Sequence, residues 1–109
     1  MVHDITSTAA VMNLGSQVDY QEGSIVSKTI ADRPPGSLTL FSFDRGQGLS
    51  EHTAPYDALV YVFDGRAEVT VAGCAMTVKT GEIVVMPANQ PHALKALERF
   101  KMMLVMIKS

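Results

Sequence analysis

The sequence has little of what several protein classes require. Cys74 is the only cysteine, so no intrachain disulfide can form and nothing indicates an oxidising compartment. Charged residues make up 18% of the 109 residues, below the ~25% usual in globular domains. The lysines and arginines form no cluster along the chain. We therefore expect no nucleic-acid partner and no anionic membrane surface.

Long apolar segments are also missing. Apolar runs such as residues 58–63 are at most six residues long, far short of the ~20 residues that a transmembrane helix needs. The first fifteen residues contain an acidic residue and no apolar centre, so they do not resemble a secretion signal. The sequence predicts a cytoplasmic protein with no membrane partner.

Strand patterns with closely spaced turns make up most of the chain. Segments rich in β-branched and aromatic residues alternate with glycine, proline and asparagine clusters, and no helical period of useful length is present. The apolar segment 58–63 has no polar face, which predicts a central strand covered on both sides. Asp64–Gly65 is the strongest hairpin signal. Eight strands are predicted, at residues 24–30, 37–43, 58–63, 67–71, 76–79, 83–86, 92–97 and 100–107.

This pattern predicts one all-β domain, a sandwich or a small barrel. Residues 1–19 are expected to form an N-terminal extension with a short helical turn near residues 11–14 and a lead-in strand. Residues 20–109 are expected to form the β domain.

Two short motifs stand out between residues 46 and 92: Gly46 is followed by five residues and His52, and Gly81 is followed by five residues and Pro87, with His92 shortly after. These motifs, carried by about half of the chain, resemble the signature motifs of the cupin family, and His92 stands at the family's histidine position. The resemblance implies a double-stranded β-helix, the jelly-roll barrel of cupins, as a single domain.

The departures from the family pattern determine what the site is expected to hold. Metal-binding cupins take two histidines and a glutamate from the first motif and one histidine from the second. Ala54 stands in place of the second histidine and Ala58 in place of the glutamate, so His52 and His92 are the implied metal ligands that remain. Because tight sites normally have three protein ligands, the resemblance implies, at most, a weakly held divalent metal (Zn, Fe, Ni or Mn).

Replacement ligands stay open at this point. Asp57 is adjacent to Ala58 and Glu51 is adjacent to His52, but neighbours along a strand point to opposite faces. An irregular loop around Pro55 would break that alternation, so Asp57, Tyr56 and His3 are alternatives. The plainer interpretation is that both motif histidines are hydrogen-bonded residues of the barrel mouth and bind no metal.

Strand alternation predicts the walls of the cavity. Ala58, Val60 and Val62 should share one face, opposite the face of His92, Leu94 and Ala96. Apolar walls with a few polar groups are typical of small-molecule pockets. The predicted ligand-binding residues are His52, His92, Tyr56, Ala54, Ala58, Val60 and Met86.

Four methionines have two interpretations. They are either soft ligands for Cu(I) or, more commonly, residues that fill irregular gaps in a core. They are Met86, Met102, Met103 and Met106.

Three functions are compatible with these residues. The first is a barrel that binds a small apolar or weakly polar ligand, with no assured catalysis, and the missing carboxylate and histidine favour it. The second is a metal-dependent dioxygenase or isomerase, in which His52 and His92 hold the metal and a histidine or Tyr56 acts as general base. The third is a sensor or scaffold. A homodimer, formed through the N-terminal segment and the apolar strands, is expected.

Overall fold

A computed structural model of the chain describes residues 9–108. The predicted alternative ligand His3 and the first eight residues of the predicted extension lie outside the described residues. Over residues 9–108 no helix is long and apolar enough to cross a membrane. A 3₁₀ turn lies at Leu14–Ser16, slightly after the predicted helical turn. The strands are β1 (Ile25–Arg33), β2 (Gly36–Phe43), β3 (Gly48–His52), β4 (Asp57–Val71), β5 (Cys74–Lys79), β6 (Ile83–Met86) and β7 (His92–Ile107).

Two long strands, β4 and β7, run through both layers of the barrel. In one layer the order is β1-β2-β7-β4-β6, and it uses the second half of β7 and the first half of β4. In the other layer the order is β3-β7-β4-β5, and it uses the opposite halves of the same two strands. All pairs are antiparallel. Because each long strand changes partners along its length, the two layers face each other across a shared interior.

The predicted hairpin at Asp64–Gly65 is wrong, because β4 continues through these residues. The register against β7 shifts between Val62 and Asp64 and again between Gly65 and Ala67. Gly65 has φ +83°, and a Cβ there would lie 1.9 Å from the carbonyl oxygen of Arg99. Glycine is therefore needed for a bulge that bends the strand from one layer into the other, where a sequence pattern indicates only a turn.

The strand count differs from the prediction for the same reason. The segments 58–63 and 67–71 are parts of β4, and 92–97 and 100–107 are parts of β7. β3, whose residues are mostly exposed, was not predicted. The hairpin that is present joins β4 to β5 through Ala72 and Gly73, both of which have positive φ, as a two-residue primed turn requires.

The apolar side chains form an inner and an outer cluster. The inner cluster fills the barrel, and in it the rings of Phe43 and Phe100 stack with their centroids 4.4 Å apart. The outer cluster packs Val18 of the N-terminal segment against Leu40 of β2. The Lys101 ammonium donates a hydrogen bond to the Gly15 carbonyl (2.6 Å), which ties this segment to β7.

The segment 58–63 is fully covered only on its inner side. Ala58, Val60 and Val62 are buried in the barrel, whereas the outward side chains between them are half-buried. The outer face of β4 therefore stays partly open beside β6, whose Ile83 and Val85 are exposed.

Candidate functional site

A small cavity of about 60 Å³ lies inside the barrel beside the two motif histidines. Among the described residues, none that lines it carries a carboxylate, an ammonium or a guanidinium group. Its walls are aliphatic, with two imidazoles and three thioethers. The lining residues are Leu49, His52, Ala54, Ala58, Met86, His92, Leu94, Met102, Leu104 and Met106.

A larger groove lies on the surface and is open to solvent. It has a volume of about 690 Å³ and charged walls that include Asp64, Arg66, Glu98 and Arg99. These groups pair locally: the Tyr20 hydroxyl donates to Asp64 (2.5 Å), and Arg66 lies 3.7 Å from Glu98. Because most of its charged groups already have partners and the groove is open to solvent, we place the candidate site in the smaller enclosed cavity.

One carboxyl group and one hydroxyl group near this groove, those of Asp44 and Tyr20, have shifted pKa values. Asp44 accepts hydrogen bonds from the Gly23 amide, the Arg99 side chain and the Arg45 amide, and these lower its pKa to about 2. Burial, followed by the hydrogen bond to Asp64, raises the pKa of Tyr20 above its usual value. Neither residue lines the cavity, so these pKa shifts belong to the surface around the groove and not to the candidate site.

The two motif histidines meet at the edge of the cavity. His52 ends β3, His92 begins β7, and the two are directly opposite each other in the antiparallel ladder. Side chains of directly opposed residues project from the same face. The Nε2 atoms lie 3.1 Å apart, with ring planes inclined by 68°. His92 is buried at 6% exposure, whereas His52 is exposed, so the pair connects the cavity to solvent.

Backbone carbonyls fix the tautomer of both rings. The Nδ1 of His52 lies 2.9 Å from the Ser50 carbonyl oxygen, and the Nδ1 of His92 lies 3.2 Å from that of Gln90. A carbonyl oxygen only accepts, so we assign a proton to each Nδ1. Two neutral imidazoles then have no proton left for the contact between the Nε2 atoms. With this assignment, each Nε2 carries a lone pair at the edge of the cavity.

Five of the seven predicted ligand-binding residues line the cavity. They are His52, Ala54, Ala58, Met86 and His92.

The other two lie elsewhere. Tyr56 is half-buried, and the Lys108 ammonium lies 6.0 Å from the centre of its ring. Val60 faces the barrel interior but is enclosed in the core, two residues further along β4 than Ala58.

The alternative ligands do not complete a metal site. Asp57 is exposed, and its carboxylate accepts a hydrogen bond from the Ala88 amide (2.8 Å), as expected for a neighbour that faces away from Ala58. Cys74 is exposed on β5. Over residues 9–108 no three His, Cys, Asp or Glu side chains are grouped so as to hold a metal ion.

Sequence reasoning placed Leu94 on a cavity wall, where it lies, but did not place four other lining residues there. Three of the four continue the alternation of His92 and Leu94 along β7. Recognising residues 92–107 as one strand would have predicted that wall. The four are Leu49, Met102, Leu104 and Met106.

Methionines flank the position where the family pattern has its glutamate. Ala58 is directly opposite Met86 on β6 and directly opposite Met106 on β7. Met86 and Met102 are almost completely buried. The space that the small alanine leaves is therefore bordered by thioether side chains.

Comparisons with known proteins agree with this architecture. Residues 39–108 match the family model of the cupin domain. A conserved protein of unknown function from Streptococcus pyogenes is similar, with a TM-score of 0.89 and 38% identity, over 94% of this chain and 90% of that one. A cupin 2 conserved barrel domain protein from Leptotrichia buccalis has a TM-score of 0.87 and 47% identity, over 89% of this chain but 47% of that one. A cupin superfamily protein from Desulfitobacterium hafniense shares the fold, with a TM-score of 0.87, 24% identity and 94% of each chain covered. No curated protein matches this sequence.

Proposed function

This chain belongs to the cupin family, as the sequence motifs predicted, and from its cavity we propose that it acts by binding a small ligand at His52 and His92. Catalysis is not part of this proposal. The observation that carries it is the pair of opposed Nε2 atoms at the edge of an apolar cavity.

The size of the cavity limits the ligand. Pockets for drug-sized molecules have volumes of roughly 300–1,000 Å³, whereas this cavity has about 60 Å³. We therefore propose an ion, or a molecule of a few non-hydrogen atoms, anchored by the imidazoles and surrounded by aliphatic walls.

The residues present fit a divalent metal only in part. One ion can contact both nitrogens, because a metal–nitrogen distance of about 2.0–2.1 Å allows the two Nε2 atoms to be up to about 4.2 Å apart, and they are 3.1 Å apart. His52 and His92 would hold Zn, Fe, Ni or Mn with no carboxylate to offset its charge, so such binding would be weak. A dioxygenase or isomerase would need a further ligand.

The test uses tag-free protein and two probes, Zn²⁺ and xenon. We expect both probes to shift the methyl NMR signals of the cavity residues Ala58, Leu94 and Leu104. The double variant His52→Ala/His92→Ala should lose the response to Zn²⁺ and keep the response to xenon. Tyr56→Phe is the matched control and should behave as the wild type. If neither probe moves these signals in the wild type, the proposed function is wrong.

We also propose a homodimer, formed through the outer face of β4 and β6. Ile83 and Val85 are 60% and 56% exposed, and they are paired with the half-buried Tyr61 and Leu59 of β4. Among the described residues β6 pairs with β4 alone, so its other edge is open, and such edges need a partner or a cover. Val85→Lys should convert a dimer to monomers in sedimentation equilibrium, whereas Met76→Lys, on β5, should not. A monomeric wild type at high concentration would contradict this.

A cytoplasmic location is proposed on the basis of the free, exposed thiol of Cys74, which suits a reducing compartment. Cell fractionation tests it, and recovery of the protein outside the cytoplasm would contradict it.

A further inference from the structure

We propose that the cavity is a soft-metal site that takes Cu(I), held by the Nε2 atoms of His52 and His92 and by methionine thioether sulfur. This inference rests on the proposed function, because it names the ligand of the same cavity. It departs from the divalent metal that the family pattern implies.

The donor atoms on the cavity wall are soft. Met86, Met102 and Met106 all line the cavity together with the two histidines. Thioethers favour Cu(I), and imidazole nitrogen also suits copper. Hard divalent ions prefer carboxylate, carbonyl and water oxygens, and no carboxylate is present among the described lining residues.

The charge of the cavity favours a monovalent ion. All of these donors are neutral, and the position of the family's glutamate is occupied by Ala58. The Born cost of placing an ion in an apolar interior rises with the square of its charge, so a monovalent ion meets about a quarter of the penalty of a divalent one. With neutral donors, Cu(I) leaves one uncompensated charge in the cavity, whereas a divalent ion leaves two.

The histidines are already oriented for an ion. Each Nδ1 donates to the carbonyl of the residue two positions earlier, Ser50 or Gln90. Such outer hydrogen bonds fix the tautomer and the ring orientation of metal-binding histidines. The two Nε2 atoms, 3.1 Å apart, therefore lie at the edge of the same cavity that the three methionines line.

The experiment is an anaerobic titration of tag-free protein with Cu(I) against a chromophoric Cu(I) chelator, together with a Zn²⁺ titration. We expect one Cu(I) per chain, bound more tightly than Zn²⁺. Leucine replaces methionine at nearly constant volume, so Met86→Leu/Met106→Leu and the single variant Met102→Leu remove sulfur with little change in shape. At least one of these should weaken Cu(I) binding about tenfold or more, since even the outer partners of metal ligands are worth roughly 10–100-fold.

Met103→Leu is the matched control. It lies on the same strand but packs in the outer cluster, so it should bind Cu(I) as the wild type does. If these methionine-to-leucine variants do not fold, X-ray absorption of the copper-loaded wild type gives the same answer, because the proposal requires a sulfur neighbour.

Three results would overturn the inference. They are tighter binding of Zn²⁺ than of Cu(I), unchanged Cu(I) affinity in both the double variant and the Met102→Leu variant, and a copper spectrum with nitrogen neighbours alone. In these cases the cavity still binds a ligand and the proposed function stands. If Cu(I), Zn²⁺ and xenon all leave the cavity methyl signals unchanged, both proposals are wrong.

Discussion

Filling the cavity from Ala58 should make the protein more stable. Ala58 is 4% exposed, lies in a strand and borders about 60 Å³ of free space. Ala58→Val adds two carbon atoms to that space, and burial contributes about 0.8 kcal/mol per CH₂, or about 1.6 kcal/mol in all. Valine also suits a strand. We expect the free energy of unfolding to rise by about 1–2 kcal/mol.

Ala67→Val is the matched control for this change. Ala67 is on the same strand, is completely buried and does not line the cavity. Extra carbon atoms in a packed core cost about 1–3 kcal/mol, so the two variants should shift the urea midpoint in opposite directions at an unchanged m-value. Ala58→Val should also abolish the xenon response. If both variants destabilise equally, the space beside Ala58 is not free and the argument from the cavity is refuted.

Two further predictions concern the barrel away from the cavity. Gly65→Ala should lower the free energy of unfolding by at least about 2 kcal/mol, because the added Cβ meets the Arg99 carbonyl and the φ of residue 65 is positive. Gly73→Ala also has a positive φ but has open space around it, so it should lower the free energy by about 1 kcal/mol. Urea unfolding measures both, and equal losses would contradict the close approach of Arg99 to Gly65. The Asp44 pKa falls from 3.8 to about 2 on folding, mainly through the Gly23 amide, so its contribution to stability is complete above about pH 4 and is lost as the pH falls through 2. Asp44→Asn should therefore lose less stability than the wild type between pH 4 and pH 2, and parallel curves would contradict this.

The strands were largely predictable from the sequence because their signals are local. Alternating apolar residues and β-branched segments identified most of the strand residues, including all of β6. The continuity of β4 and β7 was not predictable, because a bulge at Gly65 and a turn carry the same residue types. Their distinction depends on the close approach of Arg99, more than thirty residues away.

The site was predictable in part. Motif spacing and alternation indicated the two histidines and Ala58, since both act over a few residues. The approach of His52 to His92 depends on the register between β3 and β7, and β3 has no clear apolar pattern of its own. The position of Met106 beside Ala58 depends in the same way on pairing between distant strands.

The nitrogen NMR spectrum of the imidazoles, recorded before and after one equivalent of Cu(I), tests the central claim most directly. We predict that His52 and His92 both carry their proton on Nδ1 and that both Nε2 signals move together when one ion binds. A proton on Nε2 of both rings, or a response from one ring alone, would contradict it.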